Sequence, residues 1–181
     1  MQTHIETDRL LIRELMPEDA EGIFELDSDP EVHLYLGNNP IKTMEQAEEA
    51  IKFIRQQYLD NGIGRWAVIE KTTNAFIGWS GLKFMKETVN EHNNYYDLGY
   101  RFMKKYWGKG YATETAIASL NYGFNELKLP EIFAMADVQN TLSNAVLSKA
   151  GLKFIELFHD DGIPHNWYKI TREEWNNKTS A

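Results

Sequence analysis

A glycine-rich turn lies past the middle of the chain, in the run W-G-K-G-Y-A from Trp107 to Ala112. A strand-like segment precedes it, and a segment with the apolar spacing of a helix follows it. The N-terminus of a helix offers unpaired N–H groups and the positive end of the helix dipole, so it attracts phosphate. Gly108 and Gly110 carry no side chain that would keep a pyrophosphate from the backbone. The turn is therefore either a phosphate-binding loop or an ordinary strand-to-helix connection. Thr113 stands where the G-x-G-x-x-G dinucleotide motif needs its third glycine, and the run does not match the P-loop either.

The strand-like run before this turn, Y-Y-D-L-G-Y-R-F, carries a carboxylate that could handle a proton. Side chains alternate along a strand, which places Asp97 on one face with Gly99 and Arg101. The opposite face receives Tyr96, Leu98, Tyr100 and Phe102. Two interpretations of Asp97 stay open. It is either a proton acceptor beside the turn or the partner of Arg101 or another cation in an ion pair.

Composition narrows the class of protein. The 181 residues suffice for one domain, which we expect to span residues 1–181. The chain has no cysteine, which excludes a disulfide framework, a Cys-based metal site and a Cys nucleophile, and its five histidines show no metal spacing. A net charge of −8 disfavours nucleic-acid binding. No apolar run is long enough for a membrane span and no signal peptide is evident, so we expect a cytoplasmic protein. From the lack of cysteines and of metal-spaced histidines we expect no bound metal.

The order of predicted elements defines a mixed α/β fold with an antiparallel centre. Strand-like runs occupy residues 9–15, 65–70, 75–85, 95–102, 132–138, 153–158 and 167–170. Helices are predicted from Pro17, over a short piece at 31–36, from Thr43, at 112–127, at 142–150 and from Thr171. Thr43 and Gln46 have the spacing of a capping box, and Gly62 and Gly151 are each placed to end the helix before it.

Four stretches together resemble the GNAT superfamily of N-acetyltransferases, in the branch similar to the Rim-type ribosomal-protein acetyltransferases. They are T-D-R-L-L-I-R-E-L-M-P-E-D-A near the start, W-G-K-G-Y-A, N-T-L-S-N-A-V-L-S-K-A-G-L, and I-T-R-E-E-W near the end. Gly110 and Ala112 match the family's coenzyme A loop, whereas Trp107 replaces its first Gln or Arg. The resemblance implies a twisted, mostly antiparallel mixed sheet with helices on both faces. It also implies a V-shaped opening between the fourth and fifth strands.

The resemblance further implies acetyl-CoA as cosubstrate and assigns residues to it. The pyrophosphate would meet the loop, pantetheine would pair with one strand of the V, and the thiol end would approach the start of the next helix. The residues so assigned are Leu98, Tyr100, Phe102, Trp107, Gly108, Lys109, Gly110, Tyr111, Ala112, Thr113, Asn140 and Ser143.

Catalytic and acceptor residues also follow from the resemblance. Asp97 stands where the family often carries Glu, and Ser143 matches a serine near the sulfur in the Rim-like branch. The family's thiolate-protonating Tyr is replaced by Leu147. By analogy with the branch, Tyr35, Trp66 and Tyr168 would line an acceptor pocket.

The implied activity is transfer of an acetyl group to a primary amine by direct attack, in a monomer or homodimer. A protein or peptide N-terminus is the favoured acceptor. The alternatives are a small amine (a polyamine, an amino acid or an aminoglycoside-like compound) and a non-catalytic acyl-CoA-binding module. A protein-interaction domain that kept only the fold is a third possibility, disfavoured by Gly108 and Gly110.

Overall fold

The computed structural model describes residues 5–180, which form an eight-stranded sheet with helices on both faces. The strands are β1 (Ile5–Glu6), β2 (Leu10–Glu14), β3 (Trp66–Glu70), β4 (Ala75–Met85), β5 (Tyr95–Phe102), β6 (Glu131–Asp137), β7 (Lys153–Asp160) and β8 (Ile163–Thr171). The helices are α1 (Ala20–Asp27), α2 (Met44–Asn61), α3 (Tyr111–Asn125), α4 (Thr141–Ala150) and α5 (Arg172–Thr179). The strand order across the sheet is β1-β2-β3-β4-β5-β6-β8-β7.

The sheet is divided at β5 and β6. Every other neighbouring pair of strands is antiparallel, whereas these two run parallel. Within residues 5–180 their ladder contains one pair, Asp97 with Phe133, near the start of both strands. The strands therefore separate toward their C-terminal ends, where α3 and α4 begin. This is the predicted V between the fourth and fifth strands, if counting starts at Leu10–Glu14, and it confirms the predicted fold class.

Helices cover the two faces with separate apolar clusters. On one face, Leu120 and Phe124 of α3 and Leu147 of α4 pack with sheet residues such as Leu98 and Ile132. The opposite face carries α1 and α2, whose buried residues Ile23, Ala47 and Ile51 pack against Ala67 and Ile69. Full burial of one large aliphatic or aromatic side chain stabilises a fold by about 1.5–3 kcal/mol. These clusters therefore fix the orientation of α3, whose N-terminus reaches the V.

Local helix signals are confirmed. Thr43 accepts a hydrogen bond from the Gln46 N–H and the Gln46 side chain reaches back, which is the predicted capping box of α2. Gly62 and Gly151 adopt left-handed backbone at the ends of α2 and α4.

Two local predictions need correction. Residues 31–36 form consecutive turns rather than a helix, because Leu36 and Asn38 both donate to the carbonyl of His33 and no helical ladder develops. The strand β1 was missed, since two residues are too short to show alternation. In the part of the chain that the structure describes, no helix has the length and apolarity needed to cross a membrane.

Candidate active site

The glycine-rich loop presents a set of unpartnered backbone amides. Gly108 and Gly110 have φ of +73° and +82°, in the left-handed region that glycine adopts without strain. Gly110 is the N-cap of α3, with no side chain capping the helix. Among residues 5–180, no hydrogen bond uses the amides of residues 108–113, and the first amide to find a partner is that of Glu114, which donates to the Gly110 carbonyl at 3.0 Å. Such a row of free donors at a helix N-terminus is suited to an anionic group.

Side chains around the loop hold it against the sheet. The Trp107 indole N–H donates to the Phe102 carbonyl at 2.7 Å, so the residue that departs from the family pattern ties the loop to the end of β5. Tyr111 is 7% exposed, and its hydroxyl donates to Glu70 of β3 at 2.5 Å. This hydrogen bond raises the pKa of Tyr111, because it stabilises the protonated phenol. Lys109 places its ammonium over the Tyr106 ring.

Sequence reasoning missed Arg9, which also reaches this loop. Its Nη1 donates to the Lys109 carbonyl at 2.8 Å, and its guanidinium lies 4.4 Å from the centre of the Tyr111 ring. The contact joins residues 100 positions apart, so no local pattern could have shown it.

The opposite wall of the V begins at α4. The Asn140 side chain caps this helix by accepting from the Ser143 amide at 3.1 Å. The Tyr100 hydroxyl, on β5, lies 3.1 Å from both the carbonyl and the Oγ of Ser143, so it spans the opening between the strand and the helix. Burial raises the pKa of Tyr100, because the phenolate would lose its hydration. The hydroxyl therefore keeps its proton and remains a donor.

Asn144 is a further residue that sequence reasoning did not single out. Its amide nitrogen donates to the carbonyls of Asp137 and Asn140, and its oxygen accepts from Asn166 and Tyr168. These contacts fix the start of α4 to both β6 and β8. Leu147, where the family carries Tyr, is 1% exposed in the main core, so this position serves packing.

Asp97 lies at the apex of the V in a buried ion pair with Arg65. The Arg65 guanidinium donates to the Asp97 carboxylate, to the Asp97 carbonyl at 2.6 Å and to the Gly81 carbonyl at 2.5 Å. Gly99 makes room for it, since a Cβ there would lie 2.6 Å from Nη2 of Arg65. Burial raises the pKa of Asp97, and Arg65 and Lys83 oppose that rise by favouring the carboxylate.

The structure thus decides which cation meets Asp97. Arg101 pairs instead with Asp27 of α1, at 2.7 Å, so the partner anticipated first is not the one observed. The other open interpretation, proton transfer, is compatible with the pair, because a carboxylate at this position has one oxygen engaged by Arg65.

The three residues anticipated for an acceptor pocket do not form an open one: Trp66 and Tyr168 are buried in the same core cluster, and Tyr35 is not part of it. Trp66 is 2% exposed and packs edge-on against Tyr122 of α3. Tyr168 is 4% exposed and donates to Asn144. Tyr35 lies in the turns between α1 and α2, which pack on the opposite face of the sheet. No group of three or more His, Asp or Glu side chains within residues 5–180 is arranged to hold a metal ion.

Comparison with known proteins agrees with this geometry. Residues 9–153 match the family model described as an acetyltransferase (GNAT) domain. The chain belongs to the GNAT family, in its Rim-like branch, and is an acetyl-CoA-dependent N-acetyltransferase. Its cosubstrate is acetyl-CoA and its second substrate is an amine.

Individual relatives differ in what their names say about the acceptor. The FsC-acetyl coenzyme A-N(2)-transacetylase of Aspergillus fumigatus is 31% identical, over 96% of this chain and 78% of that protein. The putative ribosomal N-acetyltransferase YdaF of Bacillus subtilis is 27% identical, over 93% of this chain and 94% of that protein. The crystal structure of a GNAT-family acetyltransferase from Bacillus anthracis superposes with a TM-score of 0.78 at 30% identity, covering 94% of this chain and 99% of that one.

Proposed function

We propose that this N-acetyltransferase acetylates the α-amino group of a protein or peptide N-terminus. In this proposal the pyrophosphate of acetyl-CoA meets the free amides of residues 108–113, and pantetheine lies in the V beside Leu98, Tyr100 and Phe102. The observation that carries the cofactor assignment is the row of unpartnered amides at the N-terminus of α3, next to two strands joined by a single pair.

The reaction needs one bond made, one broken and one proton moved. The amine nitrogen attacks the thioester carbonyl carbon, the carbon–sulfur bond breaks, and coenzyme A leaves as a thiolate. The proton lost from the amine passes to Asp97, directly or through water, and the thiolate accepts hydrogen bonds from Ser143 or Tyr100. A thiol has a pKa of about 8.5, so its thiolate leaves with little help. Positioning of the amine and the carbonyl then supplies most of the rate.

The Asp97–Arg65 pair favours an acceptor that gives up its proton easily. Burial raises the pKa of Asp97, and Arg65 limits that rise by favouring the carboxylate, so the pair limits how strong a base Asp97 becomes. An α-amino group has a pKa of roughly 8, against about 10.4 for a lysine side chain, so a larger share of it is already neutral near pH 7.5. The name of the relative YdaF points the same way. The name of the fungal transacetylase favours a second candidate, a small amine acceptor.

The acceptor is tested with matched peptides. A peptide with a free N-terminus and no lysine is compared with the same peptide blocked at its N-terminus and carrying one lysine, and with a panel of polyamines, amino acids and aminoglycosides. Release of coenzyme A is followed as free thiol and the product is identified by mass. We expect the highest kcat/KM for the free N-terminus. A higher kcat/KM for any small amine would replace the first candidate with the second.

The cofactor site is tested at Gly110. A Cβ built there meets only Arg9 Nη2, at 3.4 Å, so Gly110→Asp fits without a clash. Its negative charge would repel a pyrophosphate bound at the loop, since at an effective dielectric constant of about 20 two like unit charges about 5–6 Å apart repel by roughly 3 kcal/mol. We expect acetyl-CoA affinity to fall at least ~10-fold, or about 1.4 kcal/mol, by calorimetry. Gly110→Ala is the control, because it carries the strain of positive φ without the charge. Equal affinities for the folded Asp variant and the Ala control would count against the assignment.

A further inference from the structure

The side chain of Arg9, the residue just before β2, bonds to the backbone of the glycine-rich loop. Its Nη1 donates to the Lys109 carbonyl at 2.8 Å. Its Nη2 is also the atom nearest to the space that a side chain at residue 110 would fill. The Arg9 guanidinium therefore lies against the turn that connects Gly108 to α3.

The hydrogen bond to Lys109 fixes the direction of the next amide. In a trans peptide the C=O of one residue and the N–H of the next lie in one plane and point in opposite directions. When Arg9 holds the Lys109 carbonyl, the Gly110 N–H must point away from the guanidinium. Glycine has broad rotational freedom, so without this contact the peptide between Lys109 and Gly110 could turn over.

Glu114 holds Arg9 in place. Its carboxylate accepts from Arg9 Nε at 2.7 Å and lies 2.6 Å from Nη2, so the guanidinium is gripped along one edge. The same carboxylate accepts from the Thr7 hydroxyl at 2.6 Å. Burial favours the neutral form of Glu114, but the hydrogen bonds from Thr7 and Arg9 prevail and lower its pKa. The Glu114 side chain is 18% exposed and that of Arg9 is 46% exposed, so solvent and salt partly screen the pair.

We propose that Arg9, oriented by Glu114, is a positioning residue that presets the Gly110 amide for the pyrophosphate of coenzyme A. The inference rests on the cofactor site proposed above and adds to it the residue that sets the loop's conformation before binding. Arg9 acts through the Lys109 carbonyl, so its contribution differs from that of a cation attracting phosphate.

The sign of one substitution separates these two roles. Glu114→Ala removes a negative charge near the phosphate site, so charge alone predicts tighter binding of coenzyme A. Loss of the orienting carboxylate predicts weaker binding instead. We expect calorimetry to give a Kd for coenzyme A raised about fivefold in Glu114→Ala and about tenfold in Arg9→Met. Arg172→Ala is the matched control, since Arg172 also donates to a backbone carbonyl, that of Leu129 at 2.8 Å, away from the loop.

Glycine-selective ¹⁵N labelling reports on the amide itself. The chain has 12 glycines, and the resonance absent from Gly110→Ala identifies Gly110. In the parent, coenzyme A should move this resonance strongly; in Arg9→Met it should move less, while the Arg172→Ala response stays parental. If Arg9→Met keeps both the parental Kd and the parental shift, or if Glu114→Ala binds more tightly, the positioning role is overturned. If coenzyme A leaves the Gly110 resonance of the parent unmoved, the cofactor site itself fails.

Discussion

Arg65→Gln should leave the Asp97 carboxylate at the apex of the V without its cationic partner. The Arg65 side chain is 11% exposed and that of Asp97 is 15% exposed, so neither charge is well hydrated. Glutamine carries one amide group and cannot replace the three hydrogen bonds that Arg65 makes with Asp97 and Gly81. The substitution therefore leaves a buried carboxylate without its partner and two carbonyls without their donor.

The size of the effect follows from this burial. Removing one member of a buried ion pair typically costs about 3–5 kcal/mol, because the other charge stays behind uncompensated. For a protein of about 150–250 residues, each kcal/mol lowers Tm by roughly 2–4 °C. We therefore expect Arg65→Gln to melt about 6–20 °C below the parent near neutral pH. Arg65→Gln combined with Asp97→Asn removes the stranded charge, so the double variant should recover at least about half of the loss.

The loss should also depend on pH. Burial already raises the pKa of Asp97, and Arg65 opposes that rise, so its removal raises the pKa of the folded state further. A carboxyl group whose pKa is higher in the folded than in the unfolded state stabilises the fold when protonated and loses that contribution as pH rises. The Tm deficit of Arg65→Gln relative to the parent should therefore be larger at pH 8 than at pH 5.

Thermal unfolding of four proteins measures all of this: the parent, Arg65→Gln, Asp97→Asn and the double variant, each at both pH values. The cycle isolates the pairwise free energy between the two side chains. A deficit that is equal at pH 5 and pH 8, with no rescue in the double variant, would show that Arg65 stabilises the fold only through packing and carbonyl contacts.

Three further substitutions address the chemistry. Asp97→Asn should lower kcat by about 10²-fold or more, as expected when a proton acceptor is lost, with acetyl-CoA affinity by calorimetry nearly unchanged; unchanged turnover on a verified acceptor would leave Asp97 as the structural partner of Arg65. Ser143→Ala should slow the chemical step roughly 10-fold in single-turnover experiments, at the low end for a lost transition-state donor because thiolate leaves readily; a parental rate would remove Ser143 from the mechanism. Leu147→Tyr should destabilise the protein by ~1–3 kcal/mol in denaturant unfolding, since Leu147 is 1% exposed in the core, and it should not rescue Ser143→Ala; rescue in a protein that unfolds like the parent would contradict this account.

Sequence patterns predicted what depends on neighbours along the chain. The Thr43 capping box, the glycine ends of α2 and α4, and the alternation along β5 are local, and the structure confirms each. The contacts that shape the site are not local. Arg9 meets a carbonyl 100 residues away and Arg65 meets a carboxylate 32 residues away, and only the folded sheet brings them together.

The orientation of aromatic side chains was equally hard to predict from the sequence. Trp66 and Tyr168 are aromatic residues of the kind that often line a binding pocket. Alternation along β3 and β8, however, turns both side chains toward the helices that cover the sheet. Which face of a strand is covered depends on where α3 and α4 pack, and a single sequence does not give that. The acceptor pocket was for this reason the least predictable part of the site.

Because only one residue pair joins β5 and β6 in the described residues 5–180, the sheet has a gap in its backbone hydrogen bonding between these strands. The sheet has two parts, β1 to β5 and β6 to β8, which are joined by one residue pair. Beyond Asp97 and Phe133, both β5 and β6 present backbone groups to the gap between them. A pantetheine arm in that gap would take the place of a missing strand, so the cosubstrate would also be a structural component, lost at every turnover as free coenzyme A departs. The enzyme would then alternate between a sheet whose gap is filled by pantetheine and a sheet whose gap is open. Its resistance to heat and proteolysis would therefore rise and fall with the cell's supply of the cosubstrate.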